Sequence, residues 1–138
     1  MNDSSNTSPV FIAVGHCGPD AWMLRTAIQR LFPDATLEDV ADDDALAAGM
    51  ASATDRPAVL LVNRKLDGDF AAGDGIELIE AIGGGTHVSL LVTDLPDAAA
   101  AAIEAGAAPG FGKSDLHGDA TAAALRHAVE VAAGQVEA

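Results

Sequence analysis

His16 and Cys17 are adjacent, and with His117 they offer nitrogen and sulfur donors of the kind a soft metal takes. Neighbouring residues make poor ligand spacing and a fourth donor is missing, so no metal is expected. Cys17, the only cysteine, could sense oxidants if its pKa were lowered, or could pack as a small hydrophobe. Lys113 could hold an anion or pair with Asp20, Asp67 or Asp94, while Thr93 could simply satisfy backbone groups at a strand end. No glycine loop follows a strand in the pattern that cradles phosphate, no nucleophile elbow is present, and no aromatic loops could hold a flavin. Neither an enzyme nor a cofactor is expected.

The 138 residues suit one domain, with 49% hydrophobic residues to fill its core and no room for a second, output domain. Thirty residues are Ala, whereas Phe and Trp together number five and Tyr is absent, so helices should pack closely with few large anchors. Seven Lys and Arg against twenty-one Asp and Glu give a net charge of −14. Such a surface repels a phosphate backbone, which excludes nucleic acid as a partner. A lone cysteine and an N-terminus without a basic or apolar export signal point to a reducing cytoplasm. No apolar run approaches the roughly 20 residues that span a bilayer, so no membrane partner is expected. Residues 1–8 are polar and read as a disordered leader, with a single domain over 9–138.

Positioning of these side chains falls to alternating strands and helices. The apolar runs VFIAV at 10–14, AVLLV at 58–62 and VSLLV at 88–92 read as strands buried on both faces. Residues 35–40 form a short second strand, and a fifth lies around Gly110 to Gly112. Helical spacing of Met23, Leu24, Ala27, Ile28 and Leu31 predicts a helix over 21–32, with Asp20 as its N-cap and Pro33 beyond its end. The acidic cluster at Asp42 to Asp44 can cap a second helix. GIELIEAI, closed by a glycine run, predicts a third in which Ile76, Ile79 and Ile82 share a face with Leu78 beside it. A fourth helix covers 96–105, and a fifth covers 119–133 with Leu125, Val129 and Ala132 inward. Strands alternating with helices imply a parallel sheet covered on both faces, whose functional loops lie beyond the strands' carboxyl ends. Those are the loops after Val14, Val62, Val92 and Gly112.

Over Pro9 to about Ala133 the sequence resembles the CheY-like receiver domain of bacterial two-component response regulators. MLRTAIQRLFP looks like the first receiver helix and DGIELIEAI the entry to the third. VTD at 92–94, AGA at 105–107 and GKS at 112–114 resemble the last three landmarks. The resemblance implies an α/β, flavodoxin-like, doubly wound five-stranded parallel sheet of order 2-1-3-4-5 with five helices. It also implies a magnesium site: an acidic pair after the first strand, an acceptor aspartate ending the third, a hydroxyl after the fourth and a lysine after the fifth.

Only part of that site is present. Gly15 and His16 stand where the acidic pair would be, Asn63 replaces the acceptor, and Thr93 and Lys113 remain. Magnesium wants oxygen ligands with carboxylates among them, and an amide cannot form the acyl phosphate. Two like charges about 4 Å apart repel by roughly 4 kcal/mol at an effective dielectric near 20, so the vacated site should be stable without metal. One of Asp67, Asp69 or Asp74 could stand in as acceptor, although the acidic pair would still be lacking. Gly110 occupies the place of the switch aromatic, and Phe111, one residue later, should point into the core.

These readings make the chain a degenerate receiver that signals without phosphorylation by docking a protein, or a second copy of itself, through the fourth helix, fifth strand and fifth helix. The Ala98 to Ala102 run could be such a surface, or alanine where nothing large is needed. The alternative is a sensor of small molecules or anions in the vacated pocket, with Lys113 and the Asn63 amide as its contacts.

Overall fold

The computed structural model describes residues 8–83 and 87–137. Three of the five strands consist almost wholly of apolar residues: β1 (Val10–Val14), β3 (Ala58–Asn63) and β4 (His87–Val92). Their side chains alternate between two cores, because successive residues of a strand face opposite sides of its sheet. Phe11, Leu61 and Leu90 join Leu24, Ile28 and Leu125 on one side. Val10, Ile12, Leu60 and Val62 join Leu46, Leu78 and Ile79 on the other. Each fully buried Leu, Ile, Val or Phe contributes about 1.5–3 kcal/mol relative to exposure.

With β2 (Thr36–Val40) and β5 (Ala108–Phe111), the strands form one parallel sheet of order β2-β1-β3-β4-β5. Helices α1 (Gly18–Leu31) and α5 (Asp119–Glu137) cover the first core, and α2 (Asp43–Ser52), α3 (Gly75–Ile82) and α4 (Pro96–Glu104) the second. The parallel sheet and both helical layers agree with the sequence pattern, and the loops after β1, β3, β4 and β5 share one edge. No described helix is long and apolar enough to cross a membrane.

Caps fix several boundaries. Asp42 accepts from the Ala45 amide at 2.7 Å and Asp74 from that of Glu77 at 2.9 Å, starting α2 and α3. Leu78 and Ile79 are the buried residues of α3's apolar face, while Ile76 and Ile82 are half-buried. Gly83 ends α3 in the left-handed region, and Gly84 and Gly85 lie outside the described residues, as do residues 1–7 of the expected leader. In α5, Leu125 and Ala132 are buried and Val129 half-buried, and the helix runs four residues past Ala133.

Two expectations change. Helix α1 starts at Gly18, so Asp20 is not its N-cap; Cys17 holds that position without a side-chain cap bond. Pro19 begins the helix early because its fixed φ suits the first turn. Strand β5 begins at Ala108, not near Gly110: Pro109 is tolerated because β5 is an edge strand. Between the pairs Leu90↔Ala108 and Val92↔Phe111, β5 carries one more residue than β4. This bulge turns Phe111 inward, where it is 8% exposed in the first core. Gly110 lies against the Leu91 carbonyl so closely that a Cβ would collide with it.

Candidate functional site

Gly15 follows β1 at φ +74°, where its amide donates to the Val40 carbonyl at 3.1 Å and its carbonyl accepts from the Asp67 amide at 2.9 Å. A side chain at this position would enter the left-handed region, with its Cβ 2.8 Å from Leu66 Cδ2 and 3.1 Å from Leu66 Cα. The loop is thus built around a glycine backbone, not around a carboxylate.

Asn63 ends β3 and completes this arrangement. Its Nδ2 donates to the carbonyls of Gly15 at 3.0 Å and Lys65 at 2.7 Å, using both amide hydrogens. Its Oδ1 accepts from Lys113 Nζ at 3.2 Å, and the same ammonium reaches Asp20 Oδ2 at 2.7 Å. Of the three carboxylates considered for Lys113, the fold selects Asp20, whose carboxyl is held below its ordinary pKa by hydrogen bonds from Lys113 and then from Cys17. Asn63 is therefore a structural clamp, with no amide hydrogen left for a ligand.

His16 turns away from these groups. Its Nε2 donates to the Leu61 carbonyl at 2.8 Å, which leaves Nδ1 bare, buried and without a partner. Burial lowers its pKa from 6.5 to about 4, with the Leu61 hydrogen bond opposing and nearby Lys113 reinforcing the effect. At neutral pH it is an uncharged imidazole.

A cavity of about 410 Å³ opens over the ends of β3, β4 and β5. Asn63, Thr93 and Lys113 line it, whereas Gly15 and His16 do not. Arg64 and Lys65 also line it, and sequence reasoning passed over them as loop residues. The signal was a basic dipeptide directly after a strand in a strongly acidic chain. Thr93 Oγ accepts from the Leu95 amide at 3.1 Å, the strand-end role considered for it. Asp94 ties the loop after β4 to the one after β5, its Oδ1 accepting from Ser114 Oγ at 2.7 Å and Ser114 N at 3.3 Å.

The other carboxylates lie elsewhere. Asp74 caps α3, the Asp69 amide bonds to the Ala41 carbonyl beside the acidic cluster of α2, and exposed Asp67 is bound through its backbone; none lines the cavity. Among the described residues, no group of three or more His, Cys, Asp or Glu could hold a metal, and His117 is exposed. Cys17 is half-buried beside Asp20.

Neither a family model nor any curated protein matches the sequence. Solved structures do match. One is the signal receiver domain of a DNA-binding response regulator from Colwellia psychrerythraea 34H, at TM-score 0.64 and 16% identity, over 88% of this chain and 98% of that one. Another is the non-phosphorylated receiver domain of the stress response regulator RcsB from Escherichia coli, at TM-score 0.60 and 22% identity, over 88% and 94%. RcsB from Salmonella typhimurium matches at TM-score 0.62 and 23% identity, over 88% of this chain and 61% of that one. This chain has the receiver fold.

Identities this low establish the fold and leave the chemistry to the residues. A receiver's magnesium does not fit here, because a divalent cation over this edge would meet Arg64, Lys65 and Lys113, with Asp94 the one carboxylate in the lining.

Proposed function

We propose that this receiver fold works as a cytoplasmic signalling module that docks a protein partner without being phosphorylated and without catalysing a reaction. The observation that carries the reading is Asn63. It stands where the receiver resemblance implies a phosphate acceptor, and its amide is bonded on both sides, to two carbonyls and to Lys113. A carboxamide so held is neither a nucleophile nor a metal-binding carboxylate.

The docking face we assign is formed by α4, β5 and α5, for a partner protein or a second copy of the chain. Support comes from Leu95, the N-cap of α4, and Ile103 within it, which are 49% and 50% exposed beside the helix's run of small alanines. Large side chains this open are the anchors that a partner can bury. Nucleic acid is disfavoured by the charge of −14.

Incubation with acetyl phosphate and Mg²⁺, followed by intact mass analysis, tests the reading. Unchanged mass is the expected result, and a gain of one phosphoryl group overturns it.

A further inference from the structure

Docking through α4, β5 and α5 leaves Arg64 and Lys65 without a task. In a chain with seven basic and twenty-one acidic residues, a cation finds a carboxylate easily. Arg25 pairs with Asp39 at 2.9 Å and Lys113 with Asp20 at 2.7 Å. Among the described residues, the side chains of Arg64 and Lys65 form no ion pair or hydrogen bond. Both instead line the cavity that Lys113 lines, so three of the chain's seven cations collect on one surface.

Asp94 is the one carboxylate in the lining, its Oδ1 engaged by Ser114, while Asp20 meets Lys113 from outside the cavity and leaves Arg64 and Lys65 unpaired. Thr93 Oγ accepts from the Leu95 amide, which leaves its own hydrogen free to donate. Val92 and the half-exposed Leu95 give the cavity an apolar wall. At about 410 Å³ it falls in the size range of small-molecule sites.

We propose that this cavity binds a small organic phosphate reversibly, with the phosphoryl group on Arg64, Lys65 and Lys113, the Thr93 hydroxyl donating to it, and the organic part against Leu95. A guanidinium can meet two phosphoryl oxygens at once, and an ammonium adds a compact charge. The overall negative charge does not forbid this, because salt screens exposed charges beyond about 8 Å and the cations nearest the ligand dominate. The proposal rests on the reading that the site takes no covalent phosphate. It replaces the Asn63 amide, which has no donor to spare, with the two unpaired cations beside it.

Phenyl phosphate and inorganic phosphate, each titrated into the full chain without divalent metal, are the probes, with phenol as the neutral control. Backbone amide NMR should show saturable shifts at Arg64, Lys65, Thr93, Leu95 and Lys113 with both phosphates and none with phenol. The double variant Arg64→Ala/Lys65→Ala removes no ion pair or hydrogen bond and should fold, yet weaken both phosphates by about tenfold or more. Leu95→Ala should weaken phenyl phosphate alone. Absence of saturable shifts, or unchanged affinity in the double variant, overturns the proposal alone. A parallel incubation with acetyl phosphate and Mg²⁺ is read by intact mass, and a phosphoryl gain there overturns the covalent-free reading and this proposal together.

Discussion

Lys113 Nζ and Asp20 Oδ2 lie 2.7 Å apart across 93 residues of sequence. Their bond ties the first turn of α1 to the turn after β5, on the edge where a working receiver would place its metal. The ammonium meets a carboxylate outside the cavity and the Asn63 oxygen at its rim. Lys113 is thus held on this edge by one carboxylate and one carboxamide oxygen.

The pair should be measurable in acid. Asp20's carboxyl is depressed by Lys113 and Cys17, so its contribution is present above the ordinary carboxylate pKa of about 3.9 and lost as pH falls through the lower folded value. Side-chain exposures of 27% and 33% for Lys113 and Asp20 permit solvent screening. Asp20→Asn should therefore cost only about 0.5–1 kcal/mol at pH 7. Urea unfolding should show that difference shrinking to nothing near pH 2.

His16 makes a larger pH dependence of the same sign at higher pH. Its folded pKa is about 4 against 6.5 ordinarily, so the unfolded chain binds the extra proton between those values. Stability should be full above about pH 6.5, fall as pH drops, and level off below about pH 4, with a total loss of order 3 kcal/mol. His16→Gln, which keeps a donor for the Leu61 carbonyl, should flatten the urea-unfolding profile over this window. An NMR titration of the imidazole with a midpoint near 6.5 would contradict the account.

The sequence makes these groups visible as residues but not as partners. VFIAV, AVLLV and VSLLV identify themselves as buried parallel strands because no polar face alternates with the apolar one. Asp42 announces the helix it caps, whereas the cap made by Asp74 shows only in the fold. Such signals are local, and the architecture follows from them. Lys113 is different: three aspartates were available, and only the folded chain, which brings the turn after β5 to the first turn of α1, selects Asp20. His16 is placed by register at the site, yet its ring turns to a carbonyl of β3, which no linear pattern encodes. Arg64 and Lys65 sit in a loop without a pattern of their own, and only the fold sets them beside the ends of β4 and β5 in one open cavity. Pro109 masked the start of β5 because its missing donor is harmful in a central strand and harmless at the edge.

Phe111 belongs to the core, and its removal should be felt there. At 8% exposure, Phe111→Ala should cost about 3 kcal/mol or more and lower the melting temperature by at least several degrees. An aromatic that moved between surface positions, as in a switch, would show a far smaller change. Thermal unfolding followed by circular dichroism distinguishes the two. Gly110→Ala should also destabilise, since its Cβ would press on the Leu91 carbonyl.

An aspartate at position 63 should not take up phosphate, and should damage the fold. Asn63→Asp keeps the Lys113 contact but turns a carboxylate oxygen toward the carbonyls of Gly15 and Lys65, which the amide now meets at 3.0 and 2.7 Å as a donor. Two satisfied acceptors become two repulsive neighbours, at an expected cost of about 2 kcal/mol or more. Adding Gly15→Asp does not rescue the site. Aspartate tolerates the left-handed region better than most residues, but Leu66 Cα, 3.1 Å from the new Cβ, is backbone and cannot rotate away. That strain should cost about 2 kcal/mol more. Urea unfolding measures both losses, and intact mass after acetyl phosphate and Mg²⁺ should stay unchanged for the single variant. Phosphorylation of Asn63→Asp alone would show that this edge can accept phosphate with no carboxylate at position 15 or 16.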